Sequence, residues 1–192
     1  MAAPNRTIYL ILGLLAQGPK SGYEIKRLVE KTISHFWRES YGQLYPTLAR
    51  LRDQGLIEAI EAHRDGPTDR LRYAITAAGE SMLQEWLSAP IEPDGVRNEL
   101  ALKLYFGQHT AVSVSQAHLI THRAQQQALL QQFLAEQPAI AARATAGDRA
   151  ATHDLITLLL GIQVAQARIA WCDQALALLT TLAEAPAEHG LS

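Results

Sequence analysis

The sequence is poor in sulfur: one cysteine, Cys172, and two methionines in 192 residues. A lone cysteine excludes a disulfide framework within the chain and any cysteine-based zinc site, and it suits a reducing cytoplasm. Aromatic residues are scarce, at 6%. Charge of one sign is lacking too, since 17 Lys+Arg face 19 Asp+Glu for a formal net charge of -2. A surface basic all over is thereby excluded; a local basic patch is not. The longest apolar runs, residues 8–16 and around 155–164, fall short of the ~20 residues a membrane-spanning helix needs. Arg6 ahead of the first run imitates a secretory leader. Gly18-Pro19 and a second amphipathic segment follow at once, as they do after a globular first helix.

What is present is apolar content of 48%, enough for a sizeable core. The two halves differ. Residues 1–88 hold 11 Lys+Arg against 10 Asp+Glu, whereas residues 89–192 hold 6 against 9 and are rich in Ala, Leu and Gln. Between them, residues 89–95 (Ala-Pro-Ile-Glu-Pro-Asp-Gly) read as a linker.

The front half is well punctuated. Thr7 caps a short buried helix over 8–16, stopped by Gly18-Pro19. Ser21-Gly22-Tyr23-Glu24 has the form of a capping box. The helix it starts places Ile25, Leu28, Val29 and Ile33 on one face, with Lys26, Arg27, Glu30 and Lys31 largely outside. A third helix begins near Gly42, because Pro46 is tolerated only in a first turn, and ends at Gln54 before Gly55. Residues 56–62 and 71–76 then read as two strands around a charged, turn-rich connection, a β-hairpin. Thr76 caps a fourth helix through Leu87. Three helices, a hairpin and a helix make a winged helix-turn-helix.

The back half reads as helical: 96–106, then 113 to just before Pro138 with Ser113 and Gln116 as a capping box, then 150–183. The last helix carries two apolar stripes, Leu155, Leu159, Ile162, Ile169 and Leu176 beside Leu158, Ala165, Cys172 and Leu179. Two apolar faces need two covers, and a second copy of the chain supplies one. The expected fold is therefore mainly α. Residues 1–88 form the winged helix-turn-helix with a two-stranded β wing, and residues 96–192 form an α-helical dimerisation domain. Leu155, Leu158, Leu159, Ile162, Ile169 and Leu176 are the candidate dimer interface.

On the third helix, Leu44, Leu48 and Leu51 face the core, while Gln43, Thr47, Arg50 and Gln54 form a polar stripe. Gln and Arg pair two hydrogen bonds with base edges in the major groove. Tyr41 and Tyr45 lie near the helix start, placed for phosphate oxygens. Arg64, Arg70 and Arg72 cluster around the hairpin tip, which suits phosphates or an adjacent minor groove. Lys20, Ser21 and Lys26 flank the same surface as backbone contacts. An ordinary solvated face, and arginines paired with Glu61, Asp65 and Asp69, are the plainer alternatives.

Residues 18–27 (GPKSGYEIKR), 34–57 (SHFWRESYGQLYPTLARLRDQGLI) and 69–80 (DRLRYAITAAGE) resemble the PadR family of bacterial transcriptional regulators. Tyr45-Pro46 and Gly55-Leu56-Ile57 are the most specific marks. RNELALKLYFG at 97–107 and the tryptophan-bearing last helix resemble the subgroup with a long C-terminal dimerisation domain. The resemblance implies a cytoplasmic homodimeric repressor on a pseudo-palindromic double-stranded DNA operator, without cofactor or membrane. It also implies release by a small, often aromatic or phenolic effector. Gln43, Tyr45, Thr47 and Arg50 become its reading-helix positions, and Arg64, Arg70 and Arg72 its wing positions.

No effector motif transfers with the family. Phe36, Trp37, Tyr105 and Trp171 offer flat walls to an aromatic ligand, with Arg168 for its carboxylate; packing between domains is the competing role for such rings. Enzyme chemistry is not supported. His118 and His122 share a helix face, but no third metal ligand accompanies them. Cys172 sits on an apolar stripe, and neither a Gly-rich phosphate loop nor Gly-x-Ser-x-Gly occurs. The function class set against a DNA-binding regulator is a helical dimer that sequesters a ligand or binds a protein without reading DNA.

Overall fold

The computed structural model describes residues 6–33, 37, 41–60, 71–91 and 98–184. The chain divides into two compact units, residues 1–93 and 94–192.

In the first unit α1 (Thr7–Ala16) buries Ile11, Leu12, Leu14 and Leu15. Gly18, at φ 115°, turns the chain into the two-residue strand β1 (Lys20–Ser21). Helix α2 (Gly22–Leu28) starts on the expected capping box. The Glu24 amide donates to Ser21 Oγ at 3.2 Å, and the Ser21 amide donates to Glu24 Oε2 at 2.6 Å. Beyond Leu28 the helix widens into a π-turn, Val29–Ile33. A 3-10 turn, Tyr41–Gln43, leads into α3 (Leu44–Asp53), which holds Pro46 in its first turn. Gly55 ends it at φ 70°, and the Leu56 amide donates back to the Leu51 carbonyl at 2.9 Å.

Strands β2 (Ile57–Ile60) and β3 (Arg72–Ile75) pair antiparallel, with Ile57 opposite Ile75. The sheet has a third strand that the sequence reading lacked: the order is β1-β3-β2, with Lys20 opposite Tyr73 and Ser21 opposite Arg72. Helix α4 (Ala77–Ser88) follows a cap at Thr76, whose Oγ1 accepts from the Gly79 amide at 3.2 Å and donates to the Gly55 carbonyl at 2.8 Å. One apolar cluster holds these elements together, joining α1 to Ile25, Val29, Leu44, Leu48, Leu51 and Ile57. Each such side chain contributes about 1.5–3 kcal/mol on burial. Tyr9 and Trp86 stack at 4.5 Å and 6°, fastening α4 to α1.

The second unit opens with α5 (Glu99–Tyr105), shorter than expected because Asn98 is extended and caps it through Oδ1 from the Ala101 amide at 3.1 Å. Residues 96–97 lie outside the described part. A 3-10 turn, Gly107–His109, precedes α6 (Val112–Thr145). Two expectations fail here. Helix α6 starts after Ala111 without a side-chain cap, so Ser113 and Gln116 form no capping box. It also runs through Pro138 instead of ending before it. An interior proline costs about 3 kcal/mol; packing along α7 (Arg149–Glu184) offsets that. Gly147, at φ 89°, makes the turn, and the Ala151 amide donates to Asp148 Oδ1 at 3.0 Å.

Helix α7 buries Ala151, Leu158, Ile162, Ala165 and Cys172, with Phe133 of α6 packed on Leu158 and Ile162. Arg123 of α6 pairs with Asp173 of α7. By length and composition α7 is apolar enough to cross a bilayer, with a mean hydropathy of 1.5 over its most apolar window. The expectation that its apolar runs are too short to span a bilayer is thereby corrected, because alanines extend them.

Candidate nucleic-acid interface

The interface is built on α3, whose inner face joins the core of the first unit while its outer face stays polar. Leu44, Leu48 and Leu51 are buried. Gln43, Tyr45 and Arg50 are exposed, Tyr45 at 59%. Arg50 has no ion pair among the described residues. Arg52, beside it, is engaged by Asp53 at 3.2 Å.

Thr47 does not belong to this face: it is 2% exposed. At 100° per residue it falls only 60° from the Leu44 direction, on the flank of the core stripe. A β-branched polar residue at that angle packs inward, so its assignment as a base-reading side chain is corrected. Ser21 is likewise buried, its hydroxyl committed to the α2 cap. Tyr41 lies in the 3-10 turn that precedes α3, without a described side chain. Arg64 and Arg70 lie outside the described residues.

Three basic residues remain near the start of α2. Lys20 Nζ donates to the Gly18 carbonyl at 2.9 Å. Burial lowers its pKa first; Arg72 lowers it further, and Glu24 opposes both. Arg72 sits on β3 rather than at a hairpin tip, donating from Nη2 to the Pro19 carbonyl at 2.6 Å and reaching Glu24 Oε1 at 3.5 Å. Its Nε is buried with no acceptor among the described residues. Lys26 faces Glu30 at 3.8 Å. Arg27 and Lys31, read from sequence as solvated, join Lys20, Tyr23, Glu24, Leu28, Glu30 and Arg72 around one open groove. Their i, i+4 spacing across α2 and the π-turn that continues it is the available signal.

The candidate effector residues fall in both units. Phe36 lies outside the described residues, and Trp37 is half-buried in the first unit, its amide donating to the Ile33 carbonyl at 2.9 Å. In the second unit Tyr105 is 79% exposed and meets Phe106 edge-on at 5.0 Å. Trp171 meets His122 edge-on at 6.4 Å, and Arg168 Nη1 donates to Gln126 Oε1 at 3.5 Å. Of the candidate dimer residues, Leu158 and Ile162 are buried against α6 of their own chain, so they are corrected to intrachain core. Leu155, Ile169 and Leu176 are half-buried, and Leu159 is exposed. The large apolar residues of α7 that stand outward are Ile156, Leu159, Leu160, Val164, Trp171, Leu178 and Leu182.

Residues 11–85 match the transcriptional regulator PadR-like family, and residues 96–180 match the virulence activator alpha C-terminal family. A probable transcriptional regulator of Mycobacterium tuberculosis, Rv1176c, is 27% identical over 184 residues, 91% of this chain and 95% of that protein. The negative transcriptional regulator PadR of Bacillus subtilis is 36% identical over 100 residues, 51% of this chain and 54% of PadR. The crystal structure of Bacillus subtilis PadR with operator DNA superposes with a TM-score of 0.80 at 24% identity, covering 92% of this chain and 99% of that one. The same protein with p-coumaric acid gives 0.69 at 25%, covering 90% and 97%. The Vibrio cholerae virulence activator AphA gives 0.73 at 27%, covering 91% and 98%. These relatives are regulators, not enzymes.

Proposed function

The chain belongs to the PadR-like family of transcriptional regulators, and on that premise we propose that it is a cytoplasmic, homodimeric repressor reading a pseudo-palindromic operator. The observation that carries the proposal is the outer face of α3. Tyr45 and Arg50 stand exposed on a helix whose opposite side is locked into the core, with Gln43 exposed at its N-cap. Arg50 and Gln43 take base edges, and Tyr45 a phosphate oxygen. Tyr41, Lys20, Lys26, Arg64, Arg70 and Arg72 supply sequence-independent contacts to the backbone. Thr47 and Ser21 are left out of this assignment because both are buried.

Dimerisation is supported by the outward apolar residues of α7, which α6 does not cover. A lipid environment fits them poorly, because Arg168 and Asp173 interrupt the same helix. A second copy of the chain covers them without stranding those charges. The effector reading is supported by the p-coumaric acid complex of Bacillus subtilis PadR. In this chain Trp171, Arg168 and Tyr105 are the residues proposed to meet such a ligand, with ring faces and one guanidinium for its carboxylate.

A gel shift on the promoter of the protein's own gene, at two salt concentrations, tests the reading. A sharp shift that resists competitor and weakens steeply with salt is expected, and Arg50→Ala should remove it. The balance of 11 Lys+Arg against 10 Asp+Glu in residues 1–88 favours a second reading, a helical dimer that sequesters ligand or binds protein. Binding that responds weakly to salt identifies that case.

A further inference from the structure

We propose that the groove between the β1–β3 edge and α2 is a phosphate seat, with Arg27 and Lys31 as its free cations. The inference rests on the DNA-binding reading and extends it to residues that no resemblance assigned. The groove encloses about 670 Å³ and is walled by Pro19, Lys20 and Arg72 on one side and by successive turns of α2 on the other. Four cationic side chains line it against two carboxylates, so positive charge is in excess even with Glu24 Oε1 meeting Arg72 Nη2 at 3.5 Å. Glu24 is held by the Ser21 amide at 2.6 Å, and Glu30 faces Lys26 at 3.8 Å. Arg27 and Lys31 have no ion pair among the described residues, and Arg72 keeps one N–H without an acceptor.

Position on the fold favours an anion there. Arg72 pairs with Ser21 at the end of β3 next to the hairpin connection, the same end at which α2 begins. In a helix-turn-helix the first helix crosses the DNA backbone while the second enters the major groove. A strand leaving the groove read by α3 toward the wing thus passes the β1–α2 corner. One phosphate taken there is bound by charge without sequence information.

The test compares the wild type, Arg27→Gln/Lys31→Gln, and a control of equal charge loss from the second unit, Lys103→Gln/Arg143→Gln. Binding to the operator and to unrelated duplex is measured across salt. A groove that seats one phosphate predicts a slope of log affinity against log salt shallower by about 1 for the groove variant only. Its affinity should fall by a similar factor on both duplexes, with the specificity ratio kept. An unchanged slope, while Arg50→Ala still abolishes operator preference, overturns the phosphate seat and leaves the reading intact. If the wild type binds no duplex, the reading itself fails, and inorganic pyrophosphate followed by amide and Arg Nε chemical shifts decides the seat. Shifts over residues 20–31 in the wild type that vanish in the groove variant assign it to a free phosphate compound. Their absence overturns it.

Discussion

The ring of Tyr45, at the start of α3, lies over Gly22, at the start of α2, so closely that a Cβ on Gly22 would stand 2.8 Å from Tyr45 Cε1. The backbone of one helix thereby sets where the aromatic side chain of the other projects. Gly22→Ala separates two effects. Alanine favours a helical position by up to about 1 kcal/mol over glycine, so thermal stability should hold or rise slightly. The Tyr45 ring, being 59% exposed, must swing aside. DNA affinity should fall several-fold with an unchanged melting temperature; unchanged affinity would show that Tyr45 makes no contact with DNA.

Thr47 and Arg50 lie one turn apart on α3, but only Arg50 is outside the core. Thr47→Val is expected to preserve operator choice and affinity. Arg50→Ala should cost about 1–3 kcal/mol of discrimination, the range for a bidentate base contact. Competition binding with single-base operator variants reads both. Loss of specificity in Thr47→Val would restore Thr47 to the reading face.

Gly79 presses α4 against the chain leaving α3: a Cβ there would lie 2.2 Å from the Leu56 carbonyl oxygen and 2.8 Å from Ile75 Cγ1. The carbonyl is backbone and cannot turn away as the Tyr45 ring can. Gly79→Ala should therefore destabilise the first unit by roughly 1–3 kcal/mol or more, as overpacking does. Urea denaturation followed by Trp86 fluorescence would report it through the Tyr9–Trp86 stack. A midpoint equal to the wild type's would mean that α4 shifts freely.

These contrasts mark how far the sequence could be read. Ser21 and Glu24, Pro46, Gly55 and Thr76 act through backbone chemistry within four residues, so spacing alone located α2, α3 and α4. Strand β1 escaped because two residues carry no periodicity; its pairing with β3 spans some fifty positions of sequence. Pro138 misled for a related reason, since its local penalty is outweighed by an antiparallel partner helix far along the chain. Thr47 fits the polar spacing of α3, yet the core stripe is wide enough to take that position in. Leu158 and Ile162 show the same limit on α7. A pattern identifies an apolar face but not which helix covers it.

Acid should weaken the first unit through Glu24. Its carboxylate accepts from the Ser21 amide, which is the largest cause of a pKa below the ordinary glutamate value; Arg72 and Lys20 add to it and burial opposes it. The folded state thus binds this proton less readily than the unfolded chain. The associated stability is complete above the ordinary glutamate range and is lost as pH falls through the lowered native value. Glu24→Gln should flatten that acid limb while costing about 1 kcal/mol or less near neutrality, as weakened caps do. Melting temperatures of both proteins between pH 3 and 7 should converge at the acid end; parallel curves would assign the limb to other carboxylates.

Helix α7 separates intrachain from interchain packing by direction. Leu158 is 5% exposed and packs on Phe133, whereas Leu160 is 54% exposed two residues on. If the outward stripe is where two copies meet, Leu160→Glu buries an unpaired charge at that contact. The dimer should weaken by about 2 kcal/mol or more, roughly thirty-fold at least, with little change in monomer folding. Leu158→Ala should do the reverse: a loss of about 2–5 kcal/mol in folding stability from the cavity under α6, with association reduced only as far as folding fails. Sedimentation across micromolar concentrations, paired with urea denaturation, reads the two quantities separately. Because a dimer must place both copies of α3 on half-sites about one helical turn apart, Leu160→Glu should also lose the operator while keeping weak binding to unrelated duplex. An undiminished dimer in Leu160→Glu would remove the outward stripe of α7 from the interface and move the two-fold contact elsewhere on the chain.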